Sequence, residues 1–261
     1  MVDSCRLCGS KNIYLYYTVG NRQEFKYYRC RECDLVNYDI AGGLNQGKYA
    51  VEFVDPTDEK RRINILQDRT YDFIKKNFFS KGKILEIGCG NARILHRARE
   101  DGWKVQGLEL SEYLAEEVTK KLNIAVQVAD FLEMNTDPKD KYDLILLRHV
   151  LEHLPQPLIA MDKIRNLLKP EGKVLMEFPN IQGIDLQIKR FLSKLGRKKK
   201  FSKDFVPGHA NEYSKLSFTN LLAKTGFTLL KWETYSNHPY KNFIHKRIHI
   251  GNKARVLIQK I

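Results

Sequence analysis

The chain has 261 residues, 43% of them hydrophobic and 29% charged, with a formal net charge of +14. That composition fits a globular protein and excludes wholesale disorder, and the length allows one substantial domain plus a small module. The N-terminal run MVDSCRLCGSKN lacks the apolar core of a signal peptide. No apolar stretch approaches the roughly 20 residues of a membrane span, so a cytoplasmic protein is expected.

Two Cys-x2-Cys knuckles come first, Cys5/Cys8 and Cys30/Cys33. Between them, Ile13–Tyr17 and Phe25–Arg29 read as two strands around a Gly20-Asn21 turn. Four thiolates on two turns are the soft tetrahedral set that Zn2+ prefers, and a reducing compartment disfavours disulfides. About 40 residues can hardly build a core unaided, so residues 1–40 are expected to be a ribbon stapled by structural zinc. Residues 41–57 read as a linker, and 58–79 carry apolar positions at helical spacing ahead of the main domain.

From residue 83, strand-like segments at 83–87, 104–108, 124–128, 142–147 and 173–178 alternate with helical ones near 91–101, 111–122, 156–169 and 215–225. This alternation predicts an α/β domain over 58–235, with a mostly parallel sheet and crossover helices. In such sheets ligands bind beyond the carboxyl ends of the strands, and the chemistry-bearing residues fall there.

The run Ile84 to Arg93 passes from a buried strand into the turn Gly88-Cys89-Gly90, where glycines allow unusual torsions and a close ligand approach. Glu86 just before the turn suits a ligand that carries positive charge and ribose hydroxyls better than one carrying phosphates. Glu109 ends the second strand, one helix and one strand beyond Gly90, where a carboxylate can accept bonds from both hydroxyls of a ribose. Leu110 and Ser111 follow it, Ser111 as a helix N-cap. Asp130 after the third strand can accept from an adenine amino group, with Phe131 packing beside it. After the fourth strand, Arg148, His149, Glu152 and His153 crowd together. A neutral imidazole there can take a substrate proton, and a carboxylate can orient it.

Taken in order, these sites resemble the class I S-adenosylmethionine-dependent methyltransferases over roughly residues 60–232. The His149-x-x-Glu152-His153 motif, the Gly172-Lys173-Val174 strand, Phe178-Pro179-Asn180 and the late segments His209–Ser214 and Ala223–Phe227 are similar to one small-molecule branch of that family. The resemblance implies a Rossmann-like fold with helices on both faces of the sheet. It also implies that Glu86, Gly88, Cys89, Gly90, Glu109, Leu110, Asp130, Phe131 and Arg148 bind S-adenosylmethionine. His149 or His153 would then be the general base, oriented by Glu152. Two positions depart from the pattern: Ala92 stands at the third small position of the turn, and Glu109 stands where Asp is common. Ubiquinone-pathway O-methyltransferases carry Glu-x-x-Glu-His at the fourth motif, implicated in divalent metal binding; His149 replaces the first Glu here. Sugar C-methyltransferases of deoxysugar pathways also pair a four-cysteine zinc module with this domain and use a Glu-His pair, but carry a further C-terminal domain. A sugar or nucleotide sugar is the acceptor this likeness suggests.

The charge is uneven. Eight basic and no acidic residues lie between Gln187 and Lys203, six more and no acid lie between Ser236 and Ile261, and these fourteen equal the whole net charge. The first run belongs to an expected basic insertion at about 184–206, the second to an expected basic C-terminal segment at 236–261. Such clusters suit an acidic partner: a phosphorylated small-molecule acceptor, an anionic membrane surface that the protein touches peripherally, or nucleic acid. The competing functions are therefore an RNA methyltransferase and a cofactor-binding scaffold without turnover.

Overall fold

The computed structural model describes residues 2–45, 52–135, 141–184, 186–188, 190, 200–236 and 250–261. Its centre is a seven-stranded sheet in the order β10-β11-β8-β7-β4-β5-β6. The strands are β4 (Lys83–Ile87), β5 (Lys104–Glu109), β6 (Val126–Val128), β7 (Tyr142–Arg148), β8 (Leu168–Pro179), β10 (Phe227–Tyr235) and β11 (Lys253–Lys260). From β6 to β8 every pairing is parallel, whereas β11 runs antiparallel to both β8 and β10. The helices are α1 (Arg62–Asn77), α2 (Arg93–Glu100), α3 (Glu112–Leu122), α4 (Pro157–Leu167) and α5 (Lys215–Thr225).

Strand alternation divides the core into two faces, both covered, as parallel strands demand. Ile84, Leu144, Leu146 and Leu175 pack on one side with Tyr71, Ile74, Leu95 and Val118, from α1, α2 and α3. Leu85, Ile87, Ile145, Leu147 and Met176 pack on the other with Ala160, Ile164, Phe218 and Leu222, from α4 and α5. Local signals set the helix ends. The Ser111 hydroxyl accepts from the Leu114 N–H at 3.3 Å and caps α3. Ser214 and Ser217 form a reciprocal capping box at the start of α5, and Gly226, at φ +69°, ends it.

The N-terminal lobe is a hairpin, β1 (Ile13–Val19) with β2 (Phe25–Cys30), extended by β3 (Val36–Tyr38). It does not stand alone. Its fourth strand is β9 (Asn211–Glu212), supplied by the main domain, with Asn37 opposite Asn211 and Val36 opposite Glu212. Cys5, Leu7 and Leu35 belong to the same apolar cluster as α4 and α5, so the two lobes share a core.

Of the expected basic C-terminal segment 236–261, Lys253–Lys260 joins the sheet as β11, between β8 and β10. Its Arg255 is used internally. Arg255 Nε donates to Glu177 Oε1 at 2.6 Å, Arg148 Nε donates to the other carboxylate oxygen at 2.7 Å, and the Thr70 hydroxyl donates to Oε1 at 2.8 Å. Burial pushes the Glu177 carboxyl up, but the two guanidiniums outweigh it and hold it far below its ordinary value. In the earlier basic run, Arg190 is likewise paired, with Glu212 at 3.0 Å, and lies over the rings of Tyr16 and Tyr17. Lys189, Lys194, Arg197, Lys198, Lys199, Lys241, Lys246 and Arg247 lie outside the described residues. No helix among the described residues is long and apolar enough to cross a membrane.

Candidate active site

A cavity of about 630 Å³ opens beyond the carboxyl ends of β4, β5, β6 and β7. It is bounded by Gly88 and Gly90 from the first turn, Glu109 to Ser111 from the second, Asp130 and Phe131 from the third, and Arg148, His149, Glu152 and His153 from the fourth. Four strand ends converge here because the strands are parallel and adjacent, so motifs far apart in sequence meet in space.

The glycine turn is built around left-handed torsions: Gly88 has φ +69°, Gly90 +52° and Ala92 +55°. A side chain at Gly88 would run into Val150, whose Cγ2 would lie 2.6 Å from a Cβ there. A Cβ at Gly90 would meet no atom of the chain within 4 Å and would enter the cavity, so this is where a ligand can lie against the backbone. Ala92 takes a left-handed torsion that costs a non-glycine residue roughly 1–2 kcal/mol. Its wholly buried methyl packs with α2 in return.

The Glu109 carboxylate folds over this turn. It accepts from the N–H groups of Gly90 at 2.8 Å, Leu110 at 2.9 Å and Ser111 at 3.1 Å. One carboxylate thus bridges the first and second loops, with Leu110 exposed at the rim. Asp130 caps its own turn through the Leu132 N–H at 2.8 Å, and Phe131 is buried behind it.

Glu86 and Cys89 are not among the residues lining the cavity. Cys89 contributes its backbone, whose N–H donates to Leu108 O, while its thiol packs against Gly107; burial pushes that thiol well up and keeps it inert. Glu86 lies beneath the turn, 3% exposed, with Oε2 lacking a hydrogen-bond partner among the described residues. Burial pushes its carboxyl to about 8; the charges of Glu177 and Glu109 add to the rise and Arg148 opposes it. A cationic ligand group reaching this carboxylate would be welcomed on both counts.

The imidazoles of His149 and His153 line the same cavity from the loop after β7. His149 has φ +56°, and its Nδ1 lies 3.2 Å from Glu152 Oε1. Burial pushes the Glu152 carboxyl up, but the His149 hydrogen bond and the charges of His149, His209 and His153 bring it below its ordinary value. His153 Nδ1 lies 2.7 Å from the carbonyl oxygen of Gly208, which can only accept. Nδ1 therefore carries the proton and, in the neutral ring, Nε2 carries the lone pair. Burial lowers the His153 pKa, against the opposing pull of Glu152, and favours the neutral base. His209 completes this wall, edge-on to His153 with ring centroids 4.9 Å apart; one ligating atom each of Glu152, His153 and His209 fall within 4.8 Å of one another. In the sequence His209 stands out only as the first residue of the late His209–Ser214 motif. No periodicity ties it to His153, which lies on a different strand end.

At the other lobe the four cysteines gather as expected, with Cys5 Sγ 3.4 Å from Cys33 Sγ and Cys8 Sγ 3.5 Å from Cys30 Sγ. All four sulfurs lie within 4.8 Å of one another. A zinc tetrahedron with bonds of about 2.3 Å has edges of about 3.8 Å, so this donor set fits the ion with small adjustment. None is a disulfide. Asn37 Nδ2 points at Cys5 Sγ at 3.7 Å, the kind of outer contact that steadies a thiolate ligand.

A family model described as "Methyltransferase domain" matches residues 57–231. The chain belongs to that family. It is an S-adenosylmethionine-dependent methyltransferase, with the Rossmann-like sheet of that class and an N-terminal antiparallel sheet bearing the cysteine cluster. Among curated relatives, ubiquinone biosynthesis O-methyltransferase of Coxiella burnetii (strain Dugway 5J108-111) is 24% identical over 204 residues, covering 74% of this chain and 84% of the relative. The enzyme of the same name from Actinobacillus pleuropneumoniae serotype 5b is 29% identical over 136 residues, 48% of this chain and 58% of the relative. Among solved structures, the magnesium protoporphyrin IX methyltransferase of Synechocystis PCC 6803 with bound SAH has TM-score 0.55 at 14% identity, covering 82% of this methyltransferase and 90% of that chain. A methyltransferase of Archaeoglobus fulgidus has TM-score 0.57 at 17% identity, covering 77% and 95%.

Proposed function

We propose that this methyltransferase methylates a hydroxyl of a small-molecule acceptor, with His153 as general base. S-adenosylmethionine, when bound, supplies a methyl group made electrophilic by its sulfonium. Glu109 would take the ribose hydroxyls, Asp130 the adenine amino group and Glu86 the cationic methionine end, with Gly88 and Gly90 allowing close approach. The acceptor oxygen would attack in line as the carbon–sulfur bond breaks, and its proton would pass to His153 Nε2. Holding the two reactants in one cavity is the larger contribution, and proton transfer adds about 10²–10⁴-fold.

The observation that carries the reading is the hydrogen bond from His153 to Gly208 O, because it leaves the ring's lone pair on Nε2 in the same cavity as the glycine turn. The curated relatives' name, ubiquinone biosynthesis O-methyltransferase, supports oxygen as the attacking atom. The four-cysteine lobe supports the sugar or nucleotide-sugar class, and a phosphorylated acceptor would suit the basic segments. Zinc in the ribbon is structural in this reading, since a four-thiolate site leaves no open position.

The test is to incubate the protein with methyl-labelled S-adenosylmethionine and a metabolite-plus-RNA extract, then fractionate by size. Label in a small hydroxylated product supports the reading. Label in RNA would establish the RNA methyltransferase instead, and S-adenosylmethionine binding without any labelled product would leave a scaffold.

A further inference from the structure

The fourth motif, Glu152 to Leu154, is held in place by a single segment, residues 208–211, at three successive points. His153 Nδ1–H donates to Gly208 O at 2.7 Å, Ala210 N–H donates to Glu152 O at 2.8 Å, and Asn211 Nδ2 donates to Leu154 O at 2.8 Å. That segment is in turn held from the N-terminal lobe. Ala210 O accepts from both the Tyr38 N–H and Arg6 Nη1, each at 2.9 Å. The Arg6 guanidinium also donates to Tyr38 O at 2.5 Å and to Asn211 Oδ1 at 3.4 Å, and its own N–H is fixed by Asn37 Oδ1 at 2.9 Å. Arg6 follows Cys5 directly, and Asn37 Nδ2 reaches Cys5 Sγ, so the clamp is rooted in the cysteine cluster.

We infer that the cysteine ribbon positions the acceptor base: Arg6 clamps the 208–211 segment, and that segment fixes His153 and Glu152 in the cavity. Arg6 does not line the cavity and is a positioning residue. The planar guanidinium suits this task, since it spans three acceptors that belong to two lobes, which a lysine ammonium on a flexible stem cannot do. Catalytic groups need placement within about 0.5 Å, which demands packed and hydrogen-bonded supports of this kind. The inference rests on the reading of His153 as the base, and its test uses the imidazole itself so that the two can fail separately.

The experiment is histidine NMR on the full-length protein, wild type against Arg6→Ala, Arg6→Lys and, as a control elsewhere on the ribbon, Arg31→Ala. Arg31 lies over the Tyr14 ring, and none of the clamp's hydrogen bonds involves its side chain. In wild type the Nδ1–H of His153 should give a hydrogen-bonded resonance, and the ring should titrate below its ordinary 6.5. Among the described residues, the titratable groups Glu152, His149 and His209 act on it. Arg6→Ala should broaden or abolish the Nδ1–H signal and move the titration up toward the ordinary 6.5, because water reaches the loosened ring. Arg6→Lys should show the same change in smaller degree, and Arg31→Ala none. The affinity for S-adenosylmethionine, measured by calorimetry, should stay within twofold in all three.

An unchanged His153 signal and titration in both Arg6 variants would overturn the inference, as would an equal change in Arg31→Ala. If Arg6→Ala does not fold, Arg6→Lys decides. Should His153→Ala retain full turnover while the Arg6 variants still shift the ring, the base assignment falls and the positioning stands.

Discussion

The two halves of the cavity are made in different ways. The donor half is local: Gly88 to Gly90, Glu109 and Asp130 follow consecutive parallel strands, and each loop carries its functional group within a short reach of a strand end. The acceptor half is assembled from far-separated pieces, with Arg6, Tyr38, His153 and Ala210 joined by hydrogen bonds spanning up to 204 residues. The donor half therefore depends on backbone shape, which any sequence with the right turn residues can supply. The acceptor half depends on particular side chains meeting across two lobes, and it is the half that can vary with the substrate.

The sharpest way to break this division is to damage one half and assay the other. Glu109→Ala removes the carboxylate proposed to hold two ribose hydroxyls and should weaken S-adenosylmethionine binding about 10²–10⁴-fold, since hydrogen bonds to a charged group contribute about 1.5–3 kcal/mol each. The cysteine lobe and the histidine titrations should be unaffected. Conversely, His153→Ala should leave that affinity within twofold, by calorimetry, while lowering kcat on the labelled acceptor about 10²–10⁴-fold. Wild-type kcat should rise with pH along an acid limb centred below 6.5 and be flat at neutrality, because His153 must be unprotonated to act and burial lowers its pKa. A limb centred above 6.5 would point to another base.

An effect on stability, not turnover, should come from Glu86. Its folded-state value, about 8 against an ordinary 4.5, means the folded chain keeps a proton that the unfolded chain releases. Stability should therefore fall as pH rises from about 4.5 to about 8 and level off above, by at most about 5 kcal/mol. Glu86→Gln should flatten that slope in urea melts of the unliganded protein and weaken S-adenosylmethionine binding. Retention of the full slope would show that another group titrates. The smallest difference concerns the helix caps. Ser111→Ala, at the half-buried donor-side cap, should cost about 1 kcal/mol, and Ser214→Ala, in the buried acceptor-side capping box, nearer about 2 kcal/mol.

The contrast also explains what could be read from sequence. β4, the glycine turn and α2 are legible because the apolar run, the small residues and the amphipathic pattern are contiguous; the same holds for Ser111 as a cap. The cysteine knuckles are legible because ligand spacing is set by local turns. β11 was not legible, because Lys253 to Lys260 mixes lysines and an arginine with apolar residues and reads as a charged end. Arg255 declares its role only once Glu177, 78 residues earlier, lies beside it. The ribbon's dependence on β9 was hidden for a similar reason, since so short a strand carries no periodicity. Arg6 carries no signal in the sequence beyond its place between two cysteines, and only the third dimension shows what its guanidinium spans.

The antiparallel insertion of β11 between β8 and β10 has a consequence for synthesis. Lys253, the partner of Pro179, is made only after α5 and β10 have left the ribosome's active centre. At about 5–20 residues per second, β8 waits on the order of 4–15 s with one edge unpaired and Glu177 still without Arg255. A nascent chain in that interval exposes a long apolar strand edge, the kind of surface that recruits chaperones or pairs wrongly with a neighbour. Pausing of translation between residues 180 and 252 should therefore lower yield more than an equal pause within the ribbon.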